Sequence, residues 1–396
     1  MLIAALVVIV TSVVPIAAPG AAGGSGAPVL IGFLNQERGA VSFPEYGAGA
    51  RAARNYINSK LDGINGRQLR FVECSTDGSP EASIDCANRF VEAKVTAVLM
   101  GIDIGSEAAM PILTAARIPF LGHHAIGPAQ AVSRNAFFFG AAIQAYMAGP
   151  MKVMSQRLRV KSLVFITLDS ASARSLIETG LAPAAKHLNV KLETILYRPS
   201  NADYTQIVTT ALAARPDAIF FTSSEPDCLS LLVAARQLRF GGHIFTSGCV
   251  GFIKTNPEAA EGVFTTDDVW PRSAAASAPN ARVKLAEVKL FAARMKKDAP
   301  QHAAAGAAQR TFAVTMDLAI VLRRIRGPIS SASLLKQIGQ ARNVPGFMGQ
   351  PFTCDGKQWP GQPSACAGGI LQFRVQRGAR RLFSNGYIYP KDVVTP

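Results

Sequence analysis

The stretch "QLRFVECSTDGSPEASIDCANRF" at residues 68–90 predicts a strand, a turn and a helix in succession. Apolar and polar residues alternate in its first part, as they do in a half-buried strand. Ser79 and Pro80 are then typical of a helix N-cap and a first turn. Ile84, Ala87 and Val91 fall on one face of the helix that follows. The stretch therefore predicts the strand-to-helix unit from which α/β folds are built.

The same alternation recurs along the chain in two successive groups. Short apolar runs, typical of buried strands, lie at 29–34, 68–74, 95–101 and 118–122, and again at 162–167, 191–197, 217–224, 243–248 and 262–267. Helices are expected between them. This alternation predicts an α/β protein with parallel sheets in two doubly wound, Rossmann-like lobes. Later helices near 281–297, 310–326 and 331–341, and a closing pair of strands, are too few for a third domain and are expected to complete the lobes.

Composition narrows the class of protein. The chain has 396 residues, of which 49% are hydrophobic and 17% charged, which is typical of a globular protein of about two domains. Its net charge of +15 favours anionic partners or, alternatively, reflects arginines spread over a solvated surface. Because no basic stripe is interleaved with aromatic residues, we expect no nucleic-acid partner.

Residues 1–27 are interpreted as a signal peptide or N-terminal anchor with a linker. The apolar run "MLIAALVVIVTSVVPIAA" is followed by a Gly/Ala/Pro-rich stretch, and no Lys or Arg precedes Arg38. The run is short for a membrane span, which needs about 20 residues. We therefore expect an extracytoplasmic protein (secreted, periplasmic or bound to the cell surface) that contacts a membrane only if this segment is an anchor.

Six cysteines fall into three pairs. No C-x-x-C occurs, and no cysteine lies near a histidine at zinc-finger spacing, so we expect no metal site. Of the roughly 15 pairings that six cysteines allow, locality favours Cys74–Cys86, Cys228–Cys249 and Cys354–Cys366. Each would add about 3 kcal/mol to stability by chain entropy. Buried free thiols are the alternative; disulfides fit the oxidising compartment that an export signal implies.

Several segments resemble type I periplasmic binding proteins, in particular the leucine/isoleucine/valine-binding proteins of ABC transporters. The similar segments are "VLIGFLNQERGAVSFPEYGAGARAARNYIN" (29–58), "VTAVLMGIDIGSEAAMPILTAARIPFLG" (95–122) and "ADYTQIVTTALAARPDAIFF" (202–221). The resemblance implies lobe 1 at 28–145 and 273–345, and lobe 2 at 146–272 and 346–396. It places the three crossings between the lobes near 140–148, 268–275 and 342–352.

The resemblance also implies a function. We expect a monomeric solute-binding protein without a cofactor, which captures a small polar ligand (a branched-chain amino acid or related carboxylate) and delivers it to an ABC transporter permease. A ligand-sensing receptor of the same fold is the alternative. An enzyme is a remote one: "GAGARA" at 47–52 fits the dinucleotide fingerprint, but it begins thirteen residues after Leu34, where the predicted strand ends.

Ligands of open α/β sheets bind beyond the carboxyl ends of the strands. This rule and the resemblance together select Tyr46, Asp103, Ile104, Gly105, Ser106, His123, His124, Ala125, Ser224, Glu225 and Cys249 as ligand-binding candidates. The start of a helix at Gly105 and Ser106 is expected to hold a carboxylate, although Ser106 could instead only cap that helix.

The other candidates carry expectations of their own. Tyr46 would cover the ligand or belong to the helix core, and His123 and His124 would donate or accept hydrogen bonds rather than bind a metal. Glu225 would meet an ammonium group or remain a solvated loop charge. Two departures from the subgroup put an ordinary branched-chain amino acid in doubt: Cys249 stands near the position of the ammonium-binding acid, and "DSASARS" (169–175) replaces a tyrosine loop.

Overall fold

The computed structural model describes residues 26–39, 41–278, 281–303 and 305–395. The predicted signal or anchor, residues 1–27, lies outside them apart from its last two residues. None of the described helices combines the length and apolar character that crossing a bilayer requires.

Strands form at the predicted apolar runs, and two further strands, at 136–141 and 365–367, were not predicted. In chain order they are β1 (Val29–Gln36), β2 (Leu69–Thr76), β3 (Ala97–Met100), β4 (Phe120–Gly122), β5 (Ala136–Ala141), β6 (Ser162–Leu168), β7 (Lys191–Tyr197), β8 (Ala218–Thr222), β9 (His243–Ser247), β10 (Phe264–Asp267), β11 (Ala365–Ala367), β12 (Leu371–Gln376) and β13 (Ala379–Leu382). Most residues of β1, β3 and β4 are buried, as continuous apolar runs in parallel sheets require.

Helices alternate with these strands. They are α1 (Pro44–Lys60), α2 (Pro80–Glu92), α3 (Met110–Ala115), α4 (Pro128–Val132), α5 (Ala145–Leu158), α6 (Ala171–Leu176), α7 (Ala182–His187), α8 (Tyr204–Ala213), α9 (Glu225–Gln237), α10 (Phe252–Thr255), α11 (Pro257–Ala260), α12 (Arg272–Ala275), α13 (Arg282–Asp298), α14 (Gly306–Arg323) and α15 (Ser331–Gly339). A short 3-10 helix, Ser106–Ala109, precedes α3. Ser79 caps α2 as predicted, since its side chain accepts a hydrogen bond from the Ala82 N–H.

The strands form two sheets, one for each lobe. The first has the order β11-β5-β4-β3-β1-β2, and all its pairs are parallel. The second has the order β13-β12-β10-β9-β8-β6-β7, in which β12 and β13 pair antiparallel and the others parallel. The predicted fold of two doubly wound α/β lobes is therefore confirmed.

The last crossing between the lobes differs from the prediction. The sequence placed it near 342–352 and gave 346–396 to lobe 2. In the structure β11 pairs with β5 of the first sheet, and the chain reaches the second sheet only at β12. Residues 344 and 352 bridge to each other, and the Phe347 N–H donates to Asp317 of α14, so this segment is held by lobe 1.

Small residues explain the "GAGARA" stretch. It lies inside α1, which packs against α14, and a Cβ at Gly49 would come within 2.1 Å of the Ala308 carbonyl oxygen. The Thr311 hydroxyl also donates to the Tyr46 carbonyl, at 2.7 Å. Gly49 therefore permits a close contact between two helices, and the stretch does not form the strand-to-helix turn of a dinucleotide site.

The three predicted disulfides are formed. Cys74 of β2 bonds Cys86 of α2, Cys228 of α9 bonds Cys249 beyond β9, and Cys354 bonds Cys366 of β11. The Cys354–Cys366 disulfide closes a loop that follows α15 and ends in β11, the strand that pairs with the first sheet.

Candidate functional site

A cavity of about 670 Å³ lies between the two lobes, and we call it the interlobe cavity. Its volume falls within the range of about 300–1,000 Å³ that is usual for ligand pockets. It is lined by Glu107, Ala125, Ile126, Gly127, Pro128, Ala131, Val132, Ile143, Gln144, Ala171, Ser172, Ser175, Leu176, Thr179, Trp359, Pro360, Gly361 and Gln362. Both lobes contribute walls, so a molecule held here would contact both at once.

Five chain segments build the walls, one of which is the 3-10 helix that carries Glu107. Lobe 1 supplies the turn after β4 and the helix α4, which follow the carboxyl end of the strand as the α/β rule expects. Lobe 2 supplies α6, which follows β6, with Ser170 as its cap. The first crossing contributes Ile143 and Gln144, and the loop inside the Cys354–Cys366 disulfide contributes residues 359–362.

The predicted carboxylate site is occupied by internal hydrogen bonds. Ser106 is fully buried, its hydroxyl donates to the Asp103 carbonyl at 2.5 Å, and Gln130 donates to its oxygen at 2.7 Å. A Cβ at Gly105 would come within 2.4 Å of the Ser79 carbonyl oxygen, so this glycine permits contact with the chain rather than with solvent. Ser106 begins the 3-10 helix without capping it.

Asp103 and Ile104 also take up roles within the fold. The Asp103 carboxylate accepts from the Thr76 and Ser83 hydroxyls at 2.7 and 2.5 Å, which ties the loop after β3 to β2 and α2. Burial raises the pKa of this carboxyl, although both hydroxyls act in the opposite direction. The Ile104 side chain is 62% exposed at the rim of lobe 1, where its N–H donates to Gln36.

His123 is buried and His124 is half-buried, but Ala125 alone of the candidates lines the interlobe cavity in the described structure. His123 Nε2 lies 2.8 Å from an Asp268 carboxylate oxygen. The His124 ring packs edge-on against Tyr146, with centroids 6.3 Å apart. Burial, reinforced by the nearby His123 and Arg310, lowers the pKa of His124 to about 3, so its ring is neutral at physiological pH.

The lobe 2 candidates hold loops together. Glu225 is exposed, but its two carboxylate oxygens accept from the Val250 and Gly251 N–H groups at 2.9 and 2.8 Å. Ser224 caps α9 by accepting from the Asp227 N–H. Cys249 is buried in its disulfide. Tyr46 is half-buried in α1 against Phe43, and burial raises its pKa.

A second polar group lies where the crossings meet, and we call it the hinge cluster: His123, Asp267, Asp268, Arg310 and Arg380. Asp267 accepts from Arg310 of lobe 1 at 3.0 Å and from Arg380 of lobe 2 at 3.1 Å. Asp268 accepts from His123 and, at 2.7 Å, from the Ala141 N–H. Burial alone raises the pKa of Asp268, but the nearby His123 and Arg310, with the hydrogen bonds that the carboxylate accepts, together lower the pKa below its ordinary value.

Sequence reasoning missed most of the cavity wall. The "DSASARS" departure did point to the part of α6 that lines it, and "GHHA" (122–125) pointed to the turn after β4. Trp359 to Gln362 were not selected, although an aromatic-Pro-Gly sequence inside a predicted disulfide loop was a usable signal. Among the described residues, no three His, Cys, Asp or Glu side chains are placed to hold a metal ion.

Comparison with known proteins agrees with this architecture. The profile of the periplasmic binding protein family matches residues 28–367. No curated protein sequence matches the chain significantly. Among solved structures, the chain is similar to an ABC transporter substrate-binding protein from Sphaerobacter thermophilus, with a TM-score of 0.75 and 17% identity over 92% of this chain and 98% of that one.

Two further structures share the fold. A fatty acid ABC transporter substrate-binding protein from Thermomonospora curvata has a TM-score of 0.72 and 15% identity over 94% of this chain and 95% of its own. The leucine-binding protein LivK from Thermotoga maritima has a TM-score of 0.67 and 19% identity over 92% of this chain and 99% of its own. At these identities the likeness shows the fold alone.

Proposed function

Since the chain belongs to the periplasmic binding protein family, we propose that it is an extracytoplasmic solute-binding protein. It captures a small molecule between its two lobes and delivers it, as a monomer, to the permease of an ABC transporter. The observation that carries this proposal is the interlobe cavity, whose walls come from both lobes. A ligand that contacts both walls stabilises the closed arrangement, because only that arrangement offers every contact at once.

The compartment fits this function. The described chain forms three disulfides, which persist in oxidising environments outside the cytoplasm. The branched-chain amino acid or related carboxylate expected from the resemblance stays a prediction, and the leucine-binding and fatty acid transport relatives named above differ in their own ligands.

Mass spectrometry of small molecules that co-purify with the folded protein tests the proposal. Ser175 lines the cavity from α6, so Ser175→Trp should fill it and remove the bound molecule. Glu178, on the next turn and exposed outside the cavity lining, gives the matched control Glu178→Trp. The wild type and Glu178→Trp should carry one molecule that Ser175→Trp lacks. An identical complement on all three proteins would contradict the proposal.

Closure supplies a second readout. Small-angle scattering should show a smaller radius of gyration when the recovered molecule is added back to the stripped wild type. Ser175→Trp should show no such change. A wild-type radius of gyration that is unchanged at saturation would contradict capture between closing lobes.

A further inference from the structure

The lining of the interlobe cavity is mainly apolar and contains no cation. Aliphatic, proline and tryptophan side chains make up most of the wall, among them Ile126, Val132, Ile143, Leu176 and Trp359. No lysine, arginine or histidine lines the cavity in the described part of the chain. A ligand carboxylate held here would lose water without gaining a charged partner, which is strongly unfavourable.

Acceptor oxygens of Gln144 and Glu107 lie on the wall, beside the hydroxyls of Ser172, Ser175 and Thr179 and the amide of Gln362. The Gln144 side-chain oxygen is buried, and no described group donates to it, while its nitrogen lies 3.5 Å from the Thr179 hydroxyl oxygen. One oxygen of the Glu107 carboxylate accepts from the Ala129 N–H at 2.5 Å, and no described donor reaches the other. An orphaned buried acceptor is stabilised by a ligand that donates a hydrogen bond.

From this charge pattern we infer the ligand class, an inference that rests on the proposed function. The interlobe cavity selects a mainly apolar molecule whose polar end donates hydrogen bonds and carries no negative charge, such as an amine or a primary amide. The hydrocarbon part packs against the apolar wall, and the N–H groups meet Gln144 and Glu107. A carboxylate in the same position is repelled by Glu107.

The first turn of α6 opposes this inference. Its N–H groups at Ala171 and Ser172 present a weakly positive helix end to the cavity, and such an end favours an anion. The helix is short, and Ser170 already accepts from the Ala173 N–H. The carboxylate probes described next measure its contribution directly.

Binding is measured by calorimetry and by the fluorescence of Trp359, which lines the cavity. The probes are two skeletons, 4-methylpentyl and 3-phenylpropyl, each as amine, primary amide and carboxylate, together with L-leucine and L-leucinamide. The amine or amide of at least one skeleton should bind about tenfold or more tighter than its carboxylate, and L-leucinamide about tenfold tighter than L-leucine. Trp359→Phe should abolish the fluorescence change, whereas Trp270→Phe should retain it.

Two variants locate the polar contacts. Glu107→Gln keeps an acceptor oxygen for the Ala129 N–H, so the protein should stay folded. The variant should bind the amine about tenfold more weakly, and its affinity for the amide should fall much less. Gln144→Met should weaken the binding of both the amine and the amide. Glu178→Gln, outside the cavity lining, should change the binding of neither.

Each outcome decides between the hypotheses. A carboxylate that binds as tightly as its amine and amide, and is lost in Ser175→Trp, would overturn the ligand class and leave the proposed function intact. Failure of every amine and amide to bind would also overturn the ligand class. Absence of any co-purified molecule and of any closure would instead contradict the proposed function.

Discussion

The interlobe cavity and the hinge cluster both lie beyond the carboxyl ends of the strands, yet they use side chains in opposite ways. In the hinge cluster, Asp267 and Asp268 meet cationic or N–H partners from both lobes. In the cavity one carboxylate, Glu107, stands among apolar side chains. Paired charges therefore fix how the crossings meet, while apolar surface and a few unpaired acceptors are left to choose the ligand. The predictions below test this division of roles.

The largest expected effect concerns the hinge cluster. Asp268→Ala removes the partner of His123 and of the Ala141 N–H, both of which are buried with it. Leaving these two buried groups without their acceptor should lower the free energy of unfolding by about 2–5 kcal/mol, since each unsatisfied buried donor costs about 1–3 kcal/mol. Denaturant titration of the wild type and the variant measures this difference in the free energy of unfolding.

The matched control is an ion pair at the surface. Lys152 lies 2.7 Å from Asp392, which is 60% exposed, so Asp392→Ala should change stability by less than about 1 kcal/mol. Equal losses in Asp268→Ala and Asp392→Ala would contradict a special role for the hinge cluster.

Two disulfides that close loops of equal length allow an effect on stability to be separated from an effect on ligand binding. Cys74–Cys86 and Cys354–Cys366 each span a sequence separation of 12 residues. Replacing either pair with serines should therefore cost about 3 kcal/mol by chain entropy. Only the second loop carries cavity residues, 359–362, so only its loss should also weaken ligand binding several-fold. Equal effects on binding would show that the loop does not shape the site.

His124 predicts a pH dependence. Burial lowers its pKa to about 3 in the folded protein, whereas the unfolded chain takes up a proton near pH 6.5. Between these values the unfolded state binds more protons, so stability is complete above pH 6.5 and is lost as the pH falls. The slope is about 1.4 kcal/mol per pH unit, which gives about 2 kcal/mol between pH 6.5 and 5.

A substitution isolates this slope. His124→Phe should flatten the pH dependence of the free energy of unfolding over that interval, because phenylalanine fills the ring's place without titrating. His187 is exposed on α7, and His187→Phe should leave the slope as in the wild type. A slope that persists in His124→Phe would assign the pH dependence to other groups.

These contrasts show which parts were predictable from sequence. Strand and helix alternation, the Ser79 cap and the three disulfides depend on residues close in sequence, and each was predicted correctly. The cavity wall depends on long-range contacts: Trp359 comes back to lobe 1 some two hundred residues after Val132. Reasoning from strand ends does not reveal such a return, so it reached only Ala125 and the neighbourhood of α6.

Ser106 illustrates the same limit and gives the smallest effect. Its position after β3 suggested a ligand carboxylate, but its hydrogen-bond partner Gln130 lies 24 residues later, on α4. Ser106→Ala leaves the Gln130 amide without its short partner, although that nitrogen retains a weak contact with the Met100 sulfur at 3.8 Å. Stability should therefore fall by about 1 kcal/mol, at the low end for a lost buried hydrogen bond.

Ligand affinity should change little in Ser106→Ala, because the hydroxyl faces into lobe 1 and not into the interlobe cavity. Thermal melts, with fluorescence titration of the tightest probe, separate the two effects. Ser175→Ala, a cavity residue exposed on α6, is the control and should leave stability unchanged. If Ser106→Ala instead weakened binding about tenfold or more at unchanged stability, the loss expected of a charged hydrogen bond, the hydroxyl would be a ligand contact after all.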